Sequence, residues 1–271
     1  MTEALPRNPA ETYENYFVPA MFFPWATILL RHSAPRSGER VLDVACGTGV
    51  VSRLAAPLVG ASGQVVALDF NASMLVVART LPVTSGAAIT WQEGNAMSLP
   101  FPTNAFNLVL CQHGLQFFPD RLLALREMRR VLVSGGRALV IVLQSLEQHP
   151  VFEALMKSVA RHLLLPISAV STPFSLSKAD ELGALFTAAG FQKVGLVTES
   201  TMVRFPQWEH FVPLAVSSSA AAMPAFAQLD VPARAALLNA IHVEVEPIMQ
   251  RYRDADSLKF PMYAHIAIAT S

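Results

Sequence analysis

Between residues 39 and 143 the chain alternates short apolar runs with longer amphipathic ones. RVLDVA, QVVALDF, AAITWQEG, FNLVLCQ and GRALVIVL are strand-sized and bounded by turn residues. Among the pieces that separate them, GVVSRLAAPLV, NASMLVVARTL and DRLLALREMRRVLVSGG read as helices. Asn71 and Asp120 stand where N-caps belong, and Gly135–Gly136 is the expected stop of the last of these helices. This alternation predicts a sheet flanked by helices, with ligands at the carboxyl ends of its strands.

After residue 143 the rhythm loosens. HPVFEALMKSVARHLLL reads as a helix and PISAVSTPFSLS as a loop. KADELGALFTAAG is a helix ended by Gly190, and FQKVGLVTESTMVRF a long strand. Residues 207–257 hold helical pieces broken by Pro213, Pro224, Pro232 and Pro247, and PMYAHIAIAT closes as a strand. The predicted fold class is α/β: a Rossmann-like, doubly wound, mostly parallel seven-stranded sheet with an inserted helical lid. The expected divisions are an N-terminal helical closing segment (1–38), a ligand-binding core (39–148), a lid (149–173 and 207–257) and the rest of the sheet (174–206 and 258–271).

Charge narrows the partners. Twenty basic residues balance twenty acidic ones, which argues against nucleic acid or an anionic membrane as partner. With 52% hydrophobic and 15% charged residues and a mean hydropathy of +0.39, much apolar surface must be buried. A pocket for an apolar ligand accounts for that, and so does a large core with a homodimer interface. Two cysteines, Cys46 and Cys111, are too few for a disulfide framework or a cysteine zinc site. No basic-headed apolar leader and no run of membrane-spanning length is present, so a cytoplasmic protein without membrane insertion is expected.

The run VLDVACGTGV places Asp43 in an apolar strand, where a carboxylate needs partners, and follows it with a small-residue loop opening a helix. This run resembles the first motif of class I S-adenosylmethionine-dependent methyltransferases, especially the small-molecule group that includes the ubiquinone and menaquinone methyltransferases. Four further stretches extend the resemblance over residues 41–142: VVALD ending on Asp69, QEGNAMSLPF, FNLVLCQHGLQFF and LREMRRVLVSGGRALV. The chain departs from the usual pattern at Ala45 (often Gly), Asn95 and Asn107 (usually Asp) and Ser134 (usually Pro).

The resemblance implies S-adenosylmethionine as cofactor and S-adenosylhomocysteine as product. It implies a cofactor site of Asp43, Ala45, Cys46, Gly47 and Gly49 along the loop, Asp69 on the ribose, and Phe70, Met74, Gly94, Asn95, Ala96 and Gln112 around the remainder. Asn95 would accept from the adenine amino group. Asp69 also reads as a cap for the helix after it. In YENYFVPAMFFPWATILL, Tyr16 is the first choice to close over the cofactor and Tyr13 the second; an apolar segment packing on the sheet is the other reading.

His113 follows the fourth strand, where acceptor and cofactor would meet, and is the candidate catalytic base. A positioning role is the alternative, since methyl transfer can proceed by proximity and alignment. Gln116, Phe117, Trp208 and Phe211 are the expected substrate residues, under an apolar lid. His32, His149, His162, His210, His242 and His265 lie outside the motifs and read as surface or packing residues.

CQHG replaces the (D/N)PPY of amino-methylating DNA enzymes, and Cys111 lacks the Pro-Cys context of a cysteine nucleophile. Two cysteines are too few for arsenic methylation, and no acidic cluster surrounds Asn107, so metal-independent chemistry is expected. The expected reaction is methyl transfer to an O, N or C nucleophile of a small, apolar or aromatic molecule. A non-methylating cyclase or decarboxylase on the same fold and a non-catalytic binding module are the alternatives.

Overall fold

The computed structural model describes residues 8–83, 85–218 and 223–271. Residues 1–7 of the expected closing segment and 219–222 of the expected lid lie outside the described residues. The sheet contains β1 (Arg40–Val44), β2 (Gln64–Asp69), β3 (Ile89–Glu93), β4 (Phe106–Gln112), β5 (Leu132–Leu143), β6 (Lys193–Phe205), a two-residue β7 (Arg253–Asp254) and β8 (Ser257–Thr270). Their order is β3-β2-β1-β4-β5-β8-β6, with β7 pairing only with β8. The first five strands are parallel to one another. β8 runs antiparallel between β5 and β6.

Helices of eight residues or more are α1 (Phe23–Ser33), α2 (Val50–Val59), α3 (Ala72–Thr80), α4 (Arg121–Val131), α5 (Pro150–His162), α6 (Ala179–Ala188), α7 (Phe211–Ser218) and α8 (Val231–Gln250). A π-helical stretch, Tyr13–Phe22, precedes α1. Asn71 and Asp120 cap α3 and α4 by accepting from the backbone N–H groups of Ser73 and Leu123.

Both sheet faces are covered, so the strands read as continuous apolar runs. Alternate residues serve opposite cores. Val41, Leu108, Leu139 and Ile266 pack with Trp25 and Leu29 of α1, Ala55 of α2, Phe152 of α5 and Ile241 of α8. Leu42, Val109, Val140 and Ala267 face Leu125 and Met128 of α4 and Leu182 and Phe186 of α6.

One helix end differs from the sequence expectation. α4 stops at Val131, and Leu132 already pairs with Phe106 of β4. The register shift between Phe106 and Leu108 absorbs residues 133–136, so Gly135, at φ +72°, belongs to a bulge in β5. Among the described residues no helix is long and apolar enough to cross a membrane.

Candidate functional site

β1 hands over to α2 through a loop with three left-handed residues: Ala45 (φ +57°), Gly47 (φ +57°) and Gly49 (φ +86°). A Cβ on Gly49 would lie 2.3 Å from Cη2 of Trp91, so this position excludes a side chain twice, by φ and by space. Ala45, where glycine is usual, adopts the left-handed conformation at a cost of about 1 kcal/mol. The loop is tied to β2 by the N–H of Cys46 donating to the Leu68 carbonyl (3.0 Å).

Two carboxylates hold this loop. Asp43 is buried, and its Oδ2 accepts from the Ser52 hydroxyl at 2.6 Å. Its Oδ1 has no partner. Burial pushes its carboxyl up to about 7, against the Ser52 hydrogen bonds that lower it. Asp69 ends β2, where its Oδ2 accepts from the N–H of Gly47 (2.7 Å) and its Oδ1 from that of Asn71 (2.8 Å). Burial raises its carboxyl too, with the backbone donors of Asn71, Gly47 and Phe70 opposing. Each carboxylate oxygen has a second lone pair, so these bonds leave capacity for ligand hydroxyls.

Beyond β3, Gly94 N–H donates to the Asp69 carbonyl (3.0 Å), which brings the next turn beside the loop. Asn95 is exposed, with its Oδ1 accepting from Met97 N–H at 2.9 Å, and Ala96 is buried. Phe70 is 80% exposed and Met74 half-buried.

The π-helical stretch closes over the loop, and Tyr13 meets it. A Cβ on Gly47 would sit 3.4 Å from the Tyr13 hydroxyl. Tyr16, the first choice from sequence, is partly buried and packs against the apolar core, as Tyr13 also does. Burial is the main cause raising the Tyr13 phenol, and the nearby Asp69, Glu14 and Asp43 carboxylates add to it. Glu14 pairs with Arg53 of α2 at 2.9 Å, and Arg53 also donates to the Thr48 carbonyl within the loop. Phe22 stacks on Tyr13 with ring centroids 4.7 Å apart, and its carbonyl accepts from Gln112 Nε2 at 3.0 Å. Glu14 and Arg53 were not singled out from the sequence, because pairing across 39 residues leaves no local pattern.

His113 follows β4 in a left-handed conformation (φ +52°), held by its N–H to the Ile141 carbonyl at 2.9 Å. Its ring lies edge-on to Trp25 (5.8 Å) and beside Phe22 (6.0 Å), and neither ring nitrogen has a partner. Burial, with a smaller contribution from His149, lowers its imidazolium to about 3. The resting side chain is therefore neutral. His149 is neutral as well: Nδ1 donates to the Ser145 carbonyl (2.9 Å) and Nε2 accepts from Tyr263 N–H (3.0 Å). Gln116 is 2% exposed with both amide atoms unpartnered, whereas Phe117 is exposed. Gly114 links this turn to the loop, since a Cβ there would lie 2.7 Å from Cβ of Ala45.

The expected lid residues are elsewhere. Phe211 is 0% exposed and packs edge-to-face on Phe152 (5.6 Å), Phe205 (5.0 Å) and Phe260 (5.9 Å). Trp208 is buried, with the Arg253 guanidinium 4.8 Å from its ring. The apolar composition that suggested a pocket roof instead builds the core on one sheet face, continuous with Phe17 and Trp25. A groove of about 660 Å³ runs between the π-helical stretch, α2 and the end of α3, lined by Val18, Pro19, Phe23, Leu54 and Leu81 among others.

The buried polar atoms test whether a cofactor fits. Asp43 Oδ1, Thr48 Oγ1 and Gln112 Oε1 are all buried and unpartnered around the loop and the end of β4. Such groups are rare in native proteins and call for a ligand or bound water. Together with the left-handed loop they form a polar cradle that fits the amino-acid end of S-adenosylmethionine. Among the described residues, no group of three or more His, Cys, Asp or Glu side chains could hold a metal ion.

Comparison with known proteins agrees with this geometry. The sequence model of the ubiE/COQ5 methyltransferase family matches residues 21–170, more than half of the chain. A ubiquinone/menaquinone biosynthesis C-methyltransferase of Cellvibrio japonicus is 45% identical over 119 residues, covering 43% of this chain and 48% of the relative. A 2-phytyl-1,4-naphthoquinone methyltransferase of Synechococcus elongatus is 39% identical over 119 residues, covering 43% and 51%. The chain thus spans about half the length of the curated relatives it matches. In three dimensions it is similar to the YcgJ protein of Bacillus subtilis, with a TM-score of 0.57 and 19% identity over 91% of this chain and 97% of that one.

Proposed function

This chain belongs to the ubiE/COQ5 methyltransferase family, and we propose that it methylates a ring carbon of a reduced, quinone-like small molecule, using S-adenosylmethionine. The observation that carries this reading is the set of unpartnered buried polar atoms, Asp43 Oδ1, Thr48 Oγ1 and Gln112 Oε1, around a left-handed loop at the carboxyl ends of β1 and β4. The names of the two relatives support the quinone-like acceptor class, and that of the first, a C-methyltransferase, supports the carbon nucleophile.

When bound, S-adenosylmethionine supplies an electrophilic sulfonium methyl. The chain supplies orientation and exclusion of water. Asp43 keeps the loop on α2 through Ser52 and offers its free oxygen to an ammonium group. Asp69 fixes Gly47 and retains lone pairs for ribose hydroxyls. The exposed Phe70 and the Asn95 turn flank the place for adenine, and Tyr13 and Phe22 cover the loop. His113, neutral at rest, gives one donor and one acceptor to the acceptor side, which suits hydrogen bonding better than proton uptake.

Incubation with methyl-labelled S-adenosylmethionine and chemically reduced naphthoquinones, followed by mass analysis, tests the reading. A product carrying one labelled methyl on carbon, with S-adenosylhomocysteine formed in equal amount, is expected. Cofactor binding with no labelled product from any reduced quinone overturns it.

A further inference from the structure

The three-residue turn Leu115–Phe117 is clamped on its backbone and carries a buried, unpartnered side-chain amide. Arg121 Nη2 donates to the Gln116 carbonyl at 3.1 Å, and so does the Ser175 hydroxyl at 3.3 Å. Arg121 also bonds Ser175 Oγ at 2.7 Å, which closes the clamp. The backbone of Gln116 is thus fixed by its neighbours while its side-chain amide, buried on both Oε1 and Nε2, touches no polar partner. An unpartnered buried amide is destabilising, and three further orphaned atoms lie on His113 and Trp25: both ring nitrogens of His113 and Nε1 of Trp25, whose rings meet edge-on. Among the described residues no ion pair includes these side chains, and each is neutral at rest.

From this arrangement we infer that Gln116, with His113, is the specificity-determining contact that reads an uncharged oxygen function on the methyl acceptor. A hydroxyl both donates and accepts, and so matches an amide and a neutral imidazole, each of which also does both. None of the three side chains, Gln116, His113 or Trp25, supplies a countercharge to a carboxylate or an ammonium. Hydrogen-bonding sites of this kind reject analogues that lack the oxygen, because their buried polar groups then stay unpaired. The inference rests on the methyltransferase reading, and its test is separable from it.

The test compares wild type with Gln116→Met, close in shape and apolar, using 1,4-dihydroxynaphthalene under reducing conditions and naphthalene as probes. In the ligand-free protein the substitution removes the orphaned amide, so the melting temperature should rise. With S-adenosylhomocysteine present, wild type should bind the diol at least about tenfold more tightly than naphthalene, and Gln116→Met should lose that preference. Affinity for S-adenosylmethionine should stay within about twofold. A fall in melting temperature, which would mean the amide has a structural role, overturns the inference, as does an unchanged preference for the diol. Wild-type protein that binds neither cofactor nor diol overturns the methyltransferase reading itself.

Discussion

The Asp43 carboxylate and the Ser52 hydroxyl lie 2.6 Å apart, both fully buried, and join the end of β1 to the first turn of α2 across the glycine loop. Burial raises Asp43 to about 7 in the folded protein, so between pH of about 4 and 7 the native state holds a proton that the unfolded chain releases. Its contribution to stability is therefore full at low pH and declines as pH rises through that window. Asp43→Asn removes the titration. Urea unfolding at pH 5, 6, 7 and 8 should show wild type losing stability relative to the variant by up to about 1.4 kcal/mol per pH unit, levelling off above pH 7. A parallel pair of curves would mean Asp43 is ionised throughout.

Asp69 bonds Gly47 and Asn71 through separate oxygens. Asp69→Ala should lower S-adenosylmethionine affinity by about 1–3 kcal/mol in calorimetry. The variant also loosens the loop, so Asp69→Asn, which keeps one acceptor, should fall between it and wild type. Equal affinities in all three folded proteins would remove Asp69 from the site.

Asn95 already uses its Oδ1 on Met97 N–H. Asn95→Asp supplies a second acceptor oxygen while keeping that turn bond. Cofactor affinity should be retained or increased, and a loss of binding in a folded variant would displace this turn from the adenine.

Gly49→Ala meets both a left-handed φ and the Trp91 ring. A destabilisation of roughly 2–4 kcal/mol is expected from strain plus overpacking. Because the clash is with the far end of a side chain, adding Trp91→Leu should recover the packing part and leave about 1–2 kcal/mol from φ. Thermal denaturation of the single and double variants separates the two.

Phe211→Ala opens a cavity among Phe152, Phe205 and Phe260. Stability should fall by about 3–5 kcal/mol, measured by denaturant unfolding. An acceptor KM that rises with no loss of stability would return Phe211 to the substrate pocket.

The parallel half of the sheet was legible because strands buried on both faces leave unbroken apolar runs, and the caps Asn71 and Asp120 leave a local signature. The end of α4 was misjudged because Gly135–Gly136 reads equally as a helix stop or a bulge, and only pairing with β4 decides. Apolar content between residues 207 and 257 could not distinguish a roof from a core, since Phe211 and Trp208 look the same in sequence whichever they build. Tyr13 and Tyr16 stand three residues apart in a stretch whose π-helical winding shifts which of them faces the loop, and helical spacing alone could not anticipate that.

The π-helical stretch is tied at both ends, by Tyr13 and Glu14 at the loop and α2 and by the Phe22 carbonyl at Gln112. Its middle is anchored by Phe17, edge-on to Phe205 at 5.7 Å within the core. Drawing Tyr13 away from the Gly47 loop therefore also disturbs the Phe17 contact with Phe205, which couples the cover of the loop to the packing of the core beneath it.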